Sequence, residues 1–479
     1  MKINEKKLER QELAVYRWNN SSKFGSTKDR VGTFHGTMGF GKTYMAVLAI
    51  KYLIKIRDRN HFIIVAPSDA VRLQWKDYIT NNFSKKDQSI IEVFTINWIL
   101  KQGVFIRTLT LILDEIHEYI SDERIKVLNG TLVGKEEVLG LTGTGSDNPI
   151  VMKVLRELCP IIDEVTEREA IESGYISNFI EYNVSVTLTD EEQIKYNALT
   201  KVISENLSKF GRGGLNLANK CLSGGVHKNG RKYTGIQWAF GWAQHNGWRQ
   251  NLNKSLDSDA KIDNLWNPHK IIGYARLLIN AIRHRKELLY SCSNKVKLTL
   301  ELTEKFNDIK TIIFSQSTSF SDKVGLLINE QHPNSAVVYH SSLQSVMMPS
   351  EKTGKLIKYG KTRLRQRALD RIRKGLSRII VTVASLDRGF DVEDIRLGIT
   401  ASGTKNPTQY KQRGGRVKRK ETSIFSEDTM VLIINIFVKN TQDELWLKTR
   451  QSKSEHIIHT VDSIEDITFK PKSNFEMIG

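Results

Sequence analysis

The sequence predicts an α/β protein with two consecutive domains, each built on a parallel β-sheet. Short, continuous apolar runs that fit strands buried on both faces alternate along the chain with segments of helical periodicity. A glycine-rich phosphate-binding pattern opens one of these helices near the start of the chain. In addition, 479 residues are too many for a single hydrophobic core, so two or three domains are expected.

Apolar runs and changes in composition divide the chain into four ranges. We expect the first α/β domain in residues 1–170, a connecting segment with a mainly helical, basic insertion in 171–295, the second α/β domain in 296–450 and a C-terminal tail in 451–479. The runs that read as strands are 61–67 and 109–114 in the first domain and 311–317, 335–340, 378–385 and 430–437 in the second.

Composition narrows the function classes. The formal net charge of +19 favours a polyanionic partner such as nucleic acid. No apolar run approaches the roughly 18 residues that a membrane span requires, so no membrane partner is expected. Cys159, Cys221 and Cys292 lie far apart in the sequence, which argues against a disulfide framework or a zinc site and fits a reducing, cytoplasmic location.

The stretch GTMGFGKT fits the phosphate-binding pattern G-x-x-x-x-G-K-[ST] in full. Gly36, Gly39 and Gly41 allow successive backbone N–H groups to turn toward phosphate oxygens without interference from a Cβ atom. Lys42 can reach the β- and γ-phosphates of a nucleotide, and the Thr43 hydroxyl is placed to ligate Mg²⁺. Apolar residues follow at helical spacing, so the loop is expected to open a helix whose N-terminus faces the anion.

An acidic pair, Asp114 and Glu115, stands at the end of the apolar run LTLIL. Because the carboxyl ends of parallel strands gather ligand groups at one edge of a sheet, this pair is expected near the phosphate loop. Asp114 is predicted to hold the Mg²⁺ carried by the nucleotide, and Glu115 to orient and deprotonate the attacking water. A solvated acidic turn is the alternative, but it does not explain the buried strand before the pair.

Five motifs occur in a fixed order along the chain: GTMGFGKT, DEIH, LTGT, SLDRGFDV and QRGGRVKR. Their order and spacing resemble those of superfamily 2 helicases and translocases, from about residue 10 to about residue 450. The resemblance implies two RecA-like domains, with ATP and Mg²⁺ bound in the cleft between them. It also implies that nucleic acid lies across the top of both domains.

The resemblance assigns further roles around the nucleotide. Arg416 and Arg419 would reach across the cleft as arginine fingers that neutralise charge developing on the γ-phosphate, beside the catalytic roles of Lys42, Asp114 and Glu115. Gln11 takes the position of a glutamine that reads adenine. The remaining positions on the ATP side are Gln412 in the last motif and Gly389 and Asp391 in the motif before it.

Other positions connect the nucleotide site to nucleic acid. His117 matches the residue that couples the nucleotide site to the LTGT segment, which contributes Thr142 and Thr144. Ser68 takes the usual threonine position in a segment whose loop touches the backbone of the bound strand. These roles follow from the resemblance alone.

A stretch rich in basic and aromatic residues lies between the two domains. Residues 206–256 contain no Asp or Glu but eight Lys or Arg, with tryptophans, glycines and other aromatics interspersed. One reading is a nucleic-acid element that includes Lys228, Arg231, Lys232 and Trp238. The other is a helical linker whose tryptophans pack onto a core. A second block, residues 352–378, carries eleven basic residues and one acid, and its second half predicts a surface helix.

The leading functional hypothesis is an ATP-driven helicase or translocase that acts on DNA. Residues 167–193 resemble the inter-domain crossing of phage branch-migration and excision-repair helicases. This favours forked or branched DNA in repair, recombination or replication, a monomeric protein, and the bacterial host cytoplasm if the gene belongs to a phage. Alternatives are a double-strand DNA translocase that does not separate strands, an RNA helicase or transcript-release factor, and an ATP-gated clamp without catalysis.

Overall fold

The structure is a computed structural model of the chain. It describes residues 5–469 except 59, 122, 144–148, 228–229, 249–265, 350–353, 384–391, 393–394, 419–429, 453 and 455. Five predicted site residues lie outside the described residues: Thr144, Lys228, Gly389, Asp391 and Arg419. The chain divides into two compact units, which we call the sheet unit (Met1–Ser185 with Leu298–Gly479) and the insertion unit (Val186–Lys297).

The first domain of the sheet unit contains a parallel, six-stranded sheet in the order β3-β2-β5-β7-β1-β8. The strands in chain order are β1 (Val31–Gly36), β2 (Phe62–Ala66), β3 (Ile91–Thr95), β4 (Ile106–Arg107), β5 (Thr110–Asp114), β6 (Val133–Gly134), β7 (Glu137–Thr142) and β8 (Ile161–Val165), of which β4 and β6 form a separate pair. The predicted strands 61–67 and 109–114 are therefore β2 and β5.

Helices cover both faces of this sheet, as continuous apolar strands require. They are α1 (Glu5–Asn19), α2 (Lys42–Ile56), α3 (Asp69–Asn82), α4 (Lys85–Gln88), α5 (Ile96–Gln102), α6 (Ile125–Leu128), α7 (Pro149–Leu158) and α8 (Glu167–Glu172). Successive residues of β2 point to opposite faces: Ile64 packs with α1, α2 and α3, whereas Ile63 and Val65 pack with α5, α6 and α7. Burial on both faces explains why these strands are apolar without interruption.

The second domain contains a seven-stranded sheet in the order β13-β16-β12-β17-β18-β9-β19. Its strands are β9 (Phe179–Val186), β12 (Thr311–Ser315), β13 (Ala336–Tyr339), β16 (Ile379–Val383), β17 (Leu397–Thr400), β18 (Val431–Val438) and β19 (Ile458–Val461). β9 and β19 lie outside the range 296–450 expected for this domain. β9 was not recognised as a strand in the sequence, because the buried polar residues Glu181 and Asn183 interrupt its apolar run.

The other elements of the second domain are an antiparallel hairpin, β14 (Val346–Pro349) and β15 (Leu356–Tyr359), and helices on the sheet. The helices are α13 (Ser293–Lys305), α14 (Thr318–Gln331), α15 (Lys361–Arg373), α16 (Pro407–Val417) and α17 (Gln442–Gln451). The predicted basic surface helix is α15, which buries Ala368 and Ile372 toward the sheet.

The insertion unit is mainly helical, as predicted. It contains α9 (Asp190–Ser208), α10 (Gly214–Ser223), the short hairpin of β10 (Gly225–Val226) and β11 (Lys232–Tyr233), α11 (Gly235–His245) and α12 (Pro268–Ser291). A capping box between Thr189 and Glu192 starts α9. Small apolar residues of α10, α11 and α12 share one core. Within the described part of the chain, no helix has the length and apolarity needed to cross a membrane.

Candidate ATP site and motor motifs

The phosphate loop (residues 36–43) connects the end of β1 to the start of α2. Gly39 and Gly41 adopt φ values of 88° and 92°, a region that favours glycine. A Cβ atom at Gly41 would lie only 2.7 Å from the amide nitrogen of Gln11, so the loop depends on glycine for space as well as conformation. The loop meets the N-terminus of the 15-residue helix α2, where exposed N–H groups favour a phosphate.

Lys42 and Thr43 occupy the first turn of α2, and both are partly buried. The Lys42 ammonium donates a hydrogen bond to the Gly36 carbonyl at 3.1 Å. A Cβ atom added to Gly143, just after β7, would come within 2.5 Å of Lys42 Nζ. The lysine therefore lies between the phosphate loop and the segment that follows β7, where the LTGT motif ends.

The acidic pair stands at the carboxyl end of β5, as predicted. Part of Asp114 is accessible at the sheet edge, but the protein around its carboxylate excludes water, and Trp75 Nε1 donates to it at 3.0 Å. This desolvation and the neighbouring charge of Glu115 raise the pKa of Asp114 to about 6. A carboxylate whose ionisation is disfavoured beside a second carboxylate fits a site for a divalent cation, which would stabilise the ionised form of Asp114.

Glu115 has a strained backbone, with φ 54° and ψ 54° in the left-handed region that non-glycine residues seldom adopt. Its carboxylate accepts a hydrogen bond from the Gly143 N–H at 3.4 Å and lies 3.6 Å from His117 Nδ1. The strain thus directs the predicted base toward the end of β7. Strain of this kind concentrates at functional sites.

His117 and Thr142, predicted to couple the nucleotide site to the LTGT segment, are in direct contact. His117 Nδ1 and Thr142 Oγ1 share a hydrogen bond of 2.9 Å. Thr142 is buried and is the last residue of β7, which pairs with β5. The ends of the two strands are therefore connected through side chains as well as through the sheet.

Helix α1 contributes two side chains to the phosphate loop. Gln11 is buried, and its amide nitrogen donates to the carbonyl groups of Phe40 at 2.9 Å and Gly41 at 3.3 Å. Lys7, four residues earlier on the same helix face, donates to the Gly39 carbonyl at 3.0 Å. Sequence reasoning missed Lys7, because one lysine in a strongly basic chain carries no signal of its own.

Helix α16, which carries the predicted arginine finger Arg416, packs against the phosphate loop. A Cβ atom at Gly415 would lie 2.1 Å from the Cβ of Met38, so only glycine permits this approach of the backbone. Gln412 is buried on the same helix, and Arg416, the residue after the contact, is partly buried. The structure therefore brings the helix that carries Arg416 to the loop that carries Lys42.

Two basic residues of the last motif have positions that sequence reasoning missed. Arg413 is buried and donates to the Ser402 carbonyl at 2.8 Å, which fixes α16 to its own domain. Lys418 forms a 2.6 Å ion pair with Glu167 of α8 and lies 3.5 Å from the centre of the Phe179 ring. No local pattern distinguishes these residues from the finger arginine in the sequence.

The predicted nucleic-acid contacts lie in different parts of the chain. Ser68 caps α3 just after β2, where its hydroxyl accepts from the Val71 N–H at 3.4 Å. Arg231 and Lys232 are exposed on the β10–β11 hairpin of the insertion unit. Trp238 on α11 is partly buried and packs against the core of that unit, as the packing interpretation of the tryptophans predicts.

Comparisons with known proteins agree with the motif order. Residues 5–103 match the family model "Type III restriction enzyme, res subunit", and residues 294–421 match "Helicase conserved C-terminal domain". A similar protein is the "DNA 3'-5' translocase XPB2" of Sulfurisphaera tokodaii, 25% identical over 432 residues that cover 87% of this chain and 80% of the relative.

A similar solved structure is described as "Crystal structure of Pyrococcus furiosus Hef helicase domain". Its TM-score is 0.49 at 15% identity, with 92% of this chain and 97% of that chain covered. The two family matches lie mainly in the first and second α/β domains, which are separated in the sequence by the insertion unit. These matches indicate a superfamily 2 helicase or translocase, a class of ATP-hydrolysing enzymes, and the two α/β domains fit the RecA-like architecture of that class.

Proposed function

We propose that this protein is a DNA translocase or helicase driven by ATP hydrolysis between its two RecA-like domains. The observation that carries the proposal is the contact of Gly415 with Met38, which brings α16 of the second domain to the phosphate loop of the first. Support for DNA comes from the relative, whose name describes a DNA 3'-5' translocase, and from the net charge of +19.

The residues around this contact between the two RecA-like domains have separate roles in ATP hydrolysis. The backbone N–H groups of the phosphate loop and Lys42 would hold the triphosphate, and Thr43 and Asp114 would hold Mg²⁺. When bound, ATP and Mg²⁺ supply the scissile phosphoanhydride and the neutralisation of its charge. Glu115 would accept a proton from the attacking water at a carboxylate oxygen. Arg416 would stabilise the negative charge that develops, and Gln11 would read the adenine base.

The contacts at the ends of β5 and β7 supply a route from the nucleotide to DNA. His117 bonds to Thr142 at 2.9 Å, and Glu115 accepts from Gly143. A change in the position of Glu115 would therefore pull on the segment after β7. We assign Ser68, at the same edge of the sheet, to contact with the bound strand.

Forked or branched DNA is the substrate that we propose within this class, with a role in repair, recombination or replication and a monomer as the working form. The support is the resemblance of residues 167–193 to the crossing segments of branch-migration and excision-repair helicases. Lys418 and Glu167 form an ion pair at the beginning of this crossing. The protein is proposed to act in the cytoplasm.

A second candidate is a double-strand DNA translocase that does not separate strands. It is favoured by the match of residues 5–103 to the restriction-enzyme family model and by the word "translocase" in the name of the relative. A strand-displacement assay beside a triplex-displacement assay distinguishes the two candidates. Release of the third strand without separation of the duplex would support the second one.

The proposal is tested by the ATPase rate across a panel of DNA single strands, duplexes, forks, four-way junctions and RNA. We expect stimulation by DNA, largest with forks or junctions if the branched-substrate proposal is correct. Lys42→Ala should abolish turnover with every polymer, whereas Lys51→Ala, an exposed lysine on the same helix, should not. A rate that is indifferent to all nucleic acids would overturn the motor function.

A further inference from the structure

The insertion unit contains a cavity of about 670 Å³ beside the β10–β11 hairpin, within the range of small-molecule pockets (about 300–1,000 Å³). Its lining is largely aromatic: His227 and Tyr233 come from the hairpin side, and Trp238, Phe240 and Trp242 come from α11. The ATP site uses none of these residues. A ligand of this cavity would therefore be distinct from the ATP bound at the phosphate loop.

Two tryptophan rings of this cavity are held in place by hydrogen bonds to backbone carbonyl groups, and one of them also contacts a lysine. Trp238 Nε1 donates to the Gly225 carbonyl at 3.3 Å, and the ring lies under Lys220 Nζ at 4.4 Å from its centre. Trp242 Nε1 donates to the Lys209 carbonyl at 2.9 Å. Fixed rings with cations beside them form a preorganised surface for stacking.

A glycine keeps the cavity open. Gly241 lies in the middle of α11, where glycine costs roughly 1 kcal/mol relative to alanine. A Cβ atom added there would meet nothing within 4 Å, so no packing requirement accounts for the glycine. A larger side chain at this position would project into the cavity that Gly241 lines.

The charge around the cavity identifies the occupant. Lys220 lies over Trp238, Arg231 and Lys232 are exposed on the hairpin, and the sequence of residues 206–256 contains no acid, so an anionic polymer is attracted and an apolar, neutral segment gains nothing from the charge. Exposed Arg231 and Lys232 on the hairpin can contact phosphates while aromatic faces receive a base. Gln244 adds an amide to the lining that can bond to a base edge.

We propose that this cavity binds an unstacked base of single-stranded DNA, with the strand's phosphates on the basic hairpin. The proposal rests on the assignment of DNA as substrate and deepens it. It gives the insertion unit a specific task, which is to hold a strand by a base while the RecA-like domains act on the polymer. Stacking of one base contributes about 1–3 kcal/mol, which corresponds to roughly 5- to 150-fold in affinity.

The test compares two glycine-to-leucine variants of the full chain. Gly241→Leu projects a bulky side chain into the cavity and raises the helix propensity of α11. Gly273→Leu is the matched control, because Gly273 also lies inside a helix, α12, has open space around its Cβ position and does not line the cavity. Both variants should keep the helical circular dichroism and the basal ATPase rate of the parent.

Binding is measured by fluorescence anisotropy with labelled dT20 and with an abasic oligonucleotide of the same length and charge. We expect Gly241→Leu to weaken binding of dT20 by roughly 5-fold or more, and to leave binding of the abasic strand unchanged. Gly273→Leu should match the parent with both strands. The base-dependent loss is the signature, because a general disruption of the insertion unit would weaken both strands equally.

The outcomes separate this inference from the proposed function. Binding of dT20 that is unaffected by Gly241→Leu, or equal losses with both strands, would overturn the base-binding cavity, even if DNA still stimulates the ATPase. In that case an apolar segment of a protein would be the better occupant. A base-dependent loss in a protein whose ATPase ignores DNA would support the cavity and contradict the motor.

Discussion

At the scale of single residues, the strained backbone of Glu115 sets the direction of a side chain that is predicted to be catalytic. A non-glycine residue in the left-handed region costs of order 1–3 kcal/mol. Here the strained backbone places the carboxylate within 3.4 Å of the Gly143 N–H and 3.6 Å of His117. Asp114, one residue earlier, keeps ordinary strand geometry at the end of β5. Adjacent carboxylates thus acquire different directions and different roles.

Glu115→Gln should keep ATP binding and lose hydrolysis. Glutamine retains the shape of the side chain but cannot accept the proton of water, and a general base contributes about 10²–10⁴-fold to the rate. We expect kcat to fall within that range while the Kd for ATP stays within a few fold. Steady-state ATPase kinetics and equilibrium nucleotide binding provide the two measurements. Undiminished turnover would remove Glu115 as the base.

At the scale of secondary-structure elements, α16 is held on both sides. Arg413 fixes it to its own domain, Gly415 packs against Met38, and Lys418 pairs with Glu167. The position of the helix on the phosphate loop therefore depends on one glycine with no room for a side chain. The neighbouring Gly414 is different, since its nearest neighbours to an added Cβ are at ordinary distances of 3.5 Å or more.

Gly415→Ala should lower the DNA-stimulated ATPase rate by at least about tenfold, because the added methyl pushes α16 and Arg416 away from the loop and misplacement by about 1 Å can cost about 10² in rate. Gly414→Ala is the control on the same helix and should retain the rate. Circular dichroism establishes that both variants fold. Equal rates for the two variants would show that closeness of α16 to the loop is unimportant.

A buried polar cluster joins β9 and α8 to the residues next to β19 and α16. His456 lies 2.7 Å from Glu181 and 3.4 Å from Glu167, which Lys418 also contacts. Burial alone would lower the pKa of His456, but the nearby carboxylate of Glu167 and the hydrogen bond with Glu181 outweigh burial and raise it. Burial likewise opposes ionisation of Glu167, yet His456 and Lys418 lower its pKa to about 2.

These shifts predict how thermal stability depends on pH. A raised pKa means that the stabilisation from protonated His456 is complete below its ordinary value of 6.5 and is lost as pH rises through the folded-state value. The lowered pKa of Glu167 acts only in acid, below about 4.5. The melting temperature should therefore decline from pH 6.5 upward, and His456→Gln should flatten this decline. Parallel pH profiles for parent and variant would contradict the assignment.

The β10–β11 hairpin should contribute electrostatically to DNA binding. Each phosphate contact that is lost reduces the slope of log affinity against log salt by about 0.7 for single strands, so Arg231→Gln with Lys232→Gln should make it shallower by about 1.4. Neutralising Lys85 and Lys86, an adjacent exposed pair on α4, is the control. An unchanged slope would show that Arg231 and Lys232 face solvent and do not contact the phosphates of bound DNA.

At the scale of the whole molecule, the sequence predicted the parallel sheets because strands such as β2 and β5 are apolar on both faces. The resemblance also directed attention to His117 and the LTGT segment, and the structure shows that His117 bonds to Thr142 there. β9 was missed because Glu181 is satisfied inside the sheet by Tyr410, Asn435 and His456, which come from distant segments. A buried carboxylate with long-range partners leaves no local pattern to detect.

At the ATP site too, some residues could be identified from sequence motifs and others only from the fold. Residues that act through backbone conformation, such as Gly41 and Gly415, were visible as motif glycines, although the closeness of Gly415 to Met38 required coordinates. Lys7 and Lys418 were not distinguished, because one lysine among many in a chain of charge +19 has no signature of its own. Their partners, the Gly39 carbonyl and Glu167, are defined only by the fold.

The central claim is that the second domain completes the ATP site of the first through Arg416. The most direct measurement is the DNA-stimulated kcat of Arg416→Ala, with ATP binding measured separately and Lys405→Ala, an exposed lysine just before α16, as the control. We expect a fall of about 10³–10⁵ in kcat with ATP binding retained. A kcat equal to that of the parent and of Lys405→Ala would contradict it.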